Sequence, residues 1–111
     1  VQGRTEQDAA RILQECKEIE AAGAFAVVLE MIPAELAQEI SQKLAIPTIG
    51  IGAGADCDGQ ILVWQDFAGL GTRSPKFAKQ YLNLRQDLSA AATAFRNEVV
   101  AGEFPAPEQQ F

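Results

Sequence analysis

The sequence contains no histidine, and that absence removes much chemistry from consideration. Serine–histidine–aspartate triads, histidine-bound metals and imidazole acid–base steps cannot be built from this chain alone. Cysteine is scarce as well. Cys16 and Cys57 stand far apart with no Cys-x-x-Cys spacing, which fits a reduced, cytoplasmic protein better than a disulfide scaffold. Basic residues are outnumbered: 9 Lys and Arg against 15 Asp and Glu give a net charge of −6. A chain of that sign repels phosphate backbones and anionic head groups, so neither nucleic acid nor a membrane surface is expected as a partner. No apolar run of about 18 residues is present to span a bilayer, and the first residues lack the apolar stretch of a signal peptide. An initiator methionine is lacking too, since the chain begins Val1-Gln2-Gly3-Arg4. It is expected to be processed or to be a piece of something longer.

What remains is ordinary globular material. The 111 residues are 48% apolar and 22% charged, which suits one domain and is too apolar for a disordered tail. Thr5 followed by Glu6 and Asp8 reads as a helix start, with an N-cap hydroxyl and acids at the positive end of the dipole. Ala9, Ile12, Leu13, Cys16 and Ile19 then give one apolar helical face, and Gly23 is a plausible stop. The run Ala24–Leu29 has no polar residue and no alternation, the pattern of a strand with both faces buried in a parallel sheet or barrel. A second helix is expected after Pro33, striped by Leu36, Ala37, Ile40 and Leu44 and ended by Pro47. Thr48–Ile51 and Ile61–Trp64 read as two further strands. Two helices are expected over Pro75–Asn83 and Asp87–Ala101, followed by an irregular tail.

Strands alternating with helices predict a parallel sheet with helical cover. Three strands cannot close a barrel of eight. Open edges would leave backbone groups unpaired, so the chain is expected to belong to a larger unit or to be completed by a partner.

Glu30 is the sharpest chemical signal. It ends an apolar run where a strand meets its loop, the place where sites assemble in parallel α/β architectures. Flanked by Leu29 and Met31, its carboxyl is expected to be partly desolvated and so to accept a proton more readily near neutral pH. The bland alternative is a glutamate that points to water or caps the next helix. Gly50, Gly52 and Gly54 follow a strand at a spacing unlike the dinucleotide fingerprint, and a tight turn explains them better than anion binding. Asp56 and Asp58 lack the further ligands of a calcium loop and read as a solvated turn. Asp66, at the end of the third expected strand, is placed with Glu30 at one rim. Lys76 and Lys79 read as a solvated face, and Cys57 has no histidine to activate it.

Several blocks in order resemble one family. Val1–Arg4, Val28-Leu29-Glu30-Met31-Ile32-Pro33, Ile46–Gly54, Asp58–Val63 and Pro75–Lys79 are similar to the C-terminal part of ketopantoate hydroxymethyltransferase, and the resemblance runs to about Phe104. It implies part of a (β/α)8 TIM barrel of the phosphoenolpyruvate-mutase type, roughly strands six to eight plus the C-terminal helices over residues 1–104, with 105–111 as tail. It implies transfer of a hydroxymethyl group from 5,10-methylenetetrahydrofolate to 3-methyl-2-oxobutanoate, giving 2-dehydropantoate in pantothenate biosynthesis. Glu30 aligns with the family's base, and Ile51, Ile61 and Val63 align with apolar residues of the keto-acid pocket. Mg²⁺ is implied as cofactor, but its ligands and the family's substrate-binding Lys, Ser and His precede the matched region, so no metal ligand is expected among these residues. Where the family often has His-Asp after the third strand, this chain has Gln65-Asp66. The resemblance also implies a homo-oligomer, and the isolated chain is expected to be inactive. Two other readings are another 2-oxo-acid carbon–carbon lyase of the same superfamily, and a non-catalytic barrel fragment used for assembly.

Overall fold

A computed structural model describes residues 1–111. The first helix, α1 (Glu6–Ala21), begins where its sequence predicts: Thr5 Oγ1 accepts from the Asp8 amide. Asp8 in turn accepts from the Gly3 amide at 2.6 Å, which holds its carboxyl below the usual carboxylate range, aided by Arg11. Ile12 and Cys16 are the buried residues of α1. They meet Val27 and Leu29 of strand β1 (Val27–Glu30) and Leu36, Ala37 and Ile40 of helix α2 (Ala34–Lys43) in one apolar cluster. Burying such a face, at roughly 25 cal/mol per Å² of apolar surface, holds the unit together.

Strands β1, β2 (Thr48–Ile51) and β3 (Gly59–Gln60) form one sheet in the order β1-β2-β3, with both pairs parallel. The register sets Val27 beside Thr48 and Glu30 beside Ile51. It sets Ile49 beside Gly59 and Gly50 beside Gln60. Alternation along each strand sorts these residues onto two faces. Val27, Leu29, Thr48 and Gly50 share the face that α1 and α2 cover, where Thr48 Oγ1 meets Ser41 of α2 at 2.7 Å.

Three expectations are corrected. The first strand starts later than Ala24 and is not buried on both faces: Leu29 is 3% exposed but Val28 is 53% exposed. Alternation in burial appears along β1 although alternation in sequence is absent, because α1 and α2 cover only one face of it. The strand expected at Ile61–Trp64 is shorter and earlier. Ile61 still donates to the Gly50 carbonyl at 3.0 Å, but β2 ends at Ile51, so no ladder partner follows. Val63 instead caps a short helical turn, α3 (Trp64–Phe67). The helix expected over Pro75–Asn83 does not form. The Tyr81 and Leu82 amides donate to the Phe67 carbonyl, so tertiary bonds take donors that a helix over these residues would use.

The connection from β2 to β3 is short. Parallel strands are usually joined by about a dozen residues or more with a helix, whereas residues 52–58 suffice here. Gly54, at φ +83°, lies so close to α2 that a Cβ on it would stand 2.5 Å from Cβ of Ala34. The Asp58 carboxylate then accepts from the backbone N and Oγ1 of Thr48 at 2.8 and 3.1 Å, which returns the chain to the start of β2.

The chain divides into two compact units, Val1–Leu62 and Val63–Phe111. The second contains α3 and α4 (Leu84–Ala101), which Asn83 caps through the Gln86 amide and Gly102 ends at φ +74°. Its stripe of Leu88, Phe95 and Val99 follows the predicted spacing, yet no residue of α4 is buried. The tail is irregular apart from one 3-10 turn at Pro107–Gln109.

Candidate active site

Glu30 is the last residue of β1 and lies on the sheet face that α1 and α2 leave free. Ile51 ends β2 directly beside it. The Ile61-to-Gly50 hydrogen bond carries the β2–β3 register one residue further, which brings Ile61 abreast of Ile51 on the same face. One carboxylate and two isoleucines therefore form a row across the C-terminal ends of three parallel strands. That end of a parallel sheet is where ligands bind in α/β proteins. Val63 falls in the second unit, at the N-cap of α3.

The backbone after Glu30 is unusual. Met31 is the one non-glycine residue with positive φ, at 52°. Its amide donates to the Ile51 carbonyl at 2.9 Å, and its own carbonyl accepts from the Gln2 amide at 3.2 Å. Such a conformation costs about 1–3 kcal/mol and persists where neighbours fix it. Here it turns the chain sharply off the strand and leaves Glu30 at the very edge of the rim. Nothing in the residue type announces this, since methionine has no preference for left-handed backbone.

Within this chain the Glu30 carboxyl is exposed, and its Leu29 neighbour is buried on the opposite face, so the shielding expected from the flanking residues is not provided by them. The three ion pairs, Arg11–Asp8, Arg11–Glu15 and Lys43–Glu39, lie on helix surfaces and leave Glu30 unpaired. Asp66 lies in α3 and not at a strand end. Asp58, read from sequence as a solvated turn residue, is exposed and also clamps Thr48, a residue with no exposed surface. Asp56 is exposed. No group of three or more histidine, cysteine, aspartate or glutamate side chains is placed to hold a metal ion. No helix is long and apolar enough to cross a membrane.

An α/β unit with a parallel three-stranded sheet and a glutamate-bearing C-terminal rim is consistent with part of a β/α-barrel enzyme. Comparison with known proteins narrows this class. A family model described as ketopantoate hydroxymethyltransferase matches residues 1–107, and the chain belongs to that family. It is 54% identical over 111 residues to the 3-methyl-2-oxobutanoate hydroxymethyltransferase of Thermobifida fusca, covering all of this chain and 40% of that protein. It is 56% identical over 109 residues to the protein of the same name from Streptomyces coelicolor, covering 97% of this chain and 38% of that one. With the Kosmotoga olearia protein the identity is 47% over 112 residues, covering 42% of the relative. The chain thus spans about 40% of the length of the relatives it matches.

Proposed function

We propose that the chain supplies the proton-accepting side of a 3-methyl-2-oxobutanoate hydroxymethyltransferase, within a barrel of the phosphoenolpyruvate-mutase type. One observation carries the reading: Glu30 stands at the strand rim in register with Ile51, on the face that α1 and α2 leave free. The reaction moves a hydroxymethyl group from 5,10-methylenetetrahydrofolate to 3-methyl-2-oxobutanoate and yields 2-dehydropantoate in pantothenate biosynthesis. In it, the Glu30 carboxylate takes the proton from the carbon next to the keto group. Ile51 and Ile61 present methyl groups to the branched end of the keto acid. Once the substrate covers the rim, water is displaced from around Glu30.

Mg²⁺ belongs to this reading as the group that polarises the keto acid, but the donor set here does not fit it, since no three carboxylate or thiol groups converge. Its ligands are assigned to the part of the relatives that this chain does not span. The same holds for the remaining contacts to keto acid and folate. Residence in the cytoplasm and assembly into a homo-oligomer complete the proposal.

A chimera tests it, with this chain replacing the matching 40% of the Thermobifida fusca protein. Turnover of 3-methyl-2-oxobutanoate is expected, and Glu30→Gln should lower kcat by about a hundredfold or more, the usual loss for a general base. An unchanged kcat would remove Glu30 from the mechanism. The chain by itself should show no turnover with Mg²⁺, keto acid and folate donor, and measurable turnover would contradict the division of labour described.

A further inference from the structure

The face that carries Glu30 is built in rows. Two residues before Glu30, Ile51 and Ile61 along their strands, the same face carries Val28, Ile49 and Gly59. This lower row lies directly beneath the upper one, as the floor beneath the candidate active site. Its members are unequal. Val28 is more than half exposed, Ile49 is half-buried, and Gly59 has no side chain.

Ile49 fills the gap that Gly59 leaves. A Cβ built on Gly59 would stand 3.1 Å from Cδ1 of Ile49, with no other heavy atom within 4 Å. Gly59 is not among the glycines with positive φ, so the backbone there does not demand glycine. What it spares is room, and the room is occupied by one methyl group of Ile49. The Ile49 side chain therefore leans sideways across the sheet and not upward toward the Ile51 row.

We infer that the Ile49–Gly59 pair sets the depth of the apolar pocket under Glu30 and thereby selects the size of the alkyl branch that a 2-oxo acid can place there. The inference rests on the function proposed above. With alanine at 59 the Ile49 methyl must yield by a few tenths of an ångström. The inferred direction of that shift is toward the row formed by Ile51 and Ile61, which raises the floor. Shortening Ile49 to valine lowers the floor. One methylene more or less in an apolar pocket changes selectivity by about tenfold to a few hundredfold.

The experiment uses the same chimera and three substrates: 3-methyl-2-oxobutanoate, the straight-chain 2-oxo acid with one carbon fewer, and the branched one with one carbon more. In Gly59→Ala the ratio of kcat/KM values should shift toward the smaller acid by about tenfold. In Ile49→Val it should shift toward the larger acid by a similar factor. The double variant should return close to the parent ratio, because the lost methylene makes room for the added methyl. A purely structural role would lower kcat/KM for all three acids alike, and unmoved ratios in an active chimera overturn the selectivity inference alone. Ile49→Val leaves β3 untouched and decides the matter by itself if alanine at 59 prevents folding. A folded chimera that neither binds any of the three acids by calorimetry nor turns them over overturns the functional reading and this inference together.

Discussion

Single residues here do work that their types disguise. Asp58 sits in a polar loop that reads as solvated, yet its carboxylate satisfies both the backbone N–H and the hydroxyl of Thr48, which has no exposed surface. Replacing it with alanine leaves a buried donor without a partner, a loss of about 1–3 kcal/mol. Urea unfolding of Asp58→Ala should therefore show a lower midpoint, and Asp58→Asn, which keeps an acceptor oxygen, should recover part of the difference. The two cysteines differ for a related reason. Burial pushes the Cys16 thiol up from its ordinary range, with the nearby Glu15 carboxylate adding to the rise, whereas Cys57 is only half-buried. The thiolate is the reactive form. A maleimide pulse near pH 7.5, read by peptide mass spectrometry, should label Cys57 well before Cys16. Equal labelling would mean that the α1 core opens readily. Glu30 itself was legible from sequence as a strand-end acid, but the left-handed Met31 that turns the chain beside it was not. A φ of 52° at a methionine is imposed by the hydrogen bonds to Ile51 and Gln2 and leaves no mark in the residue type.

At the scale of elements, local signals served well wherever local energetics decide. Thr5 as cap, Gly23 as stop, and the Leu36–Ala37–Ile40 stripe all follow from hydrogen-bond and burial rules that operate within a few residues. They failed where a distant partner decides. Ile61–Trp64 is as apolar as a strand should be, but a strand needs a neighbour, and β2 has already ended at Ile51. Pro75–Asn83 loses its helix to the carbonyl of Phe67. The short β2–β3 connection is sensitive to substitution at Gly54. Gly54→Ala would place a methyl group 2.5 Å from Ala34 at a φ of +83°. Left-handed backbone alone costs an L-residue about 1–2 kcal/mol. A fall of at least that size in unfolding free energy is expected, with little change in the urea m-value because the exposed area is the same. A neutral Gly54→Ala would show that the loop does not seat on α2.

Taken as a whole, the molecule is two compact units, and much of its apolar surface has no cover of its own. Val28 is open on the free face of the sheet, Phe95 is 56% exposed, and α4 buries no residue. Apolar area of this kind is seldom left bare in a monomer. Sedimentation velocity on the isolated chain should show mass-dependent self-association already at micromolar concentration, weakened by urea below the unfolding midpoint more than by salt. A monomer that persists to about a millimolar would mean that these faces need no partner. Composition and motif order, with no histidine, an excess of acids and blocks matching one family from Val1 onward, were enough to determine the α/β class and the family and to single out Glu30 as a candidate, because each depends on residue types and their order along the chain. The tertiary structure alone decided that Glu30, Ile51 and Ile61 share one row, that Gly59 makes room for Ile49, and that Asp58 clamps Thr48. Those facts depend on strand register, and register is fixed by pairing between segments distant in sequence, where a shift of one residue would send every side chain to the other face.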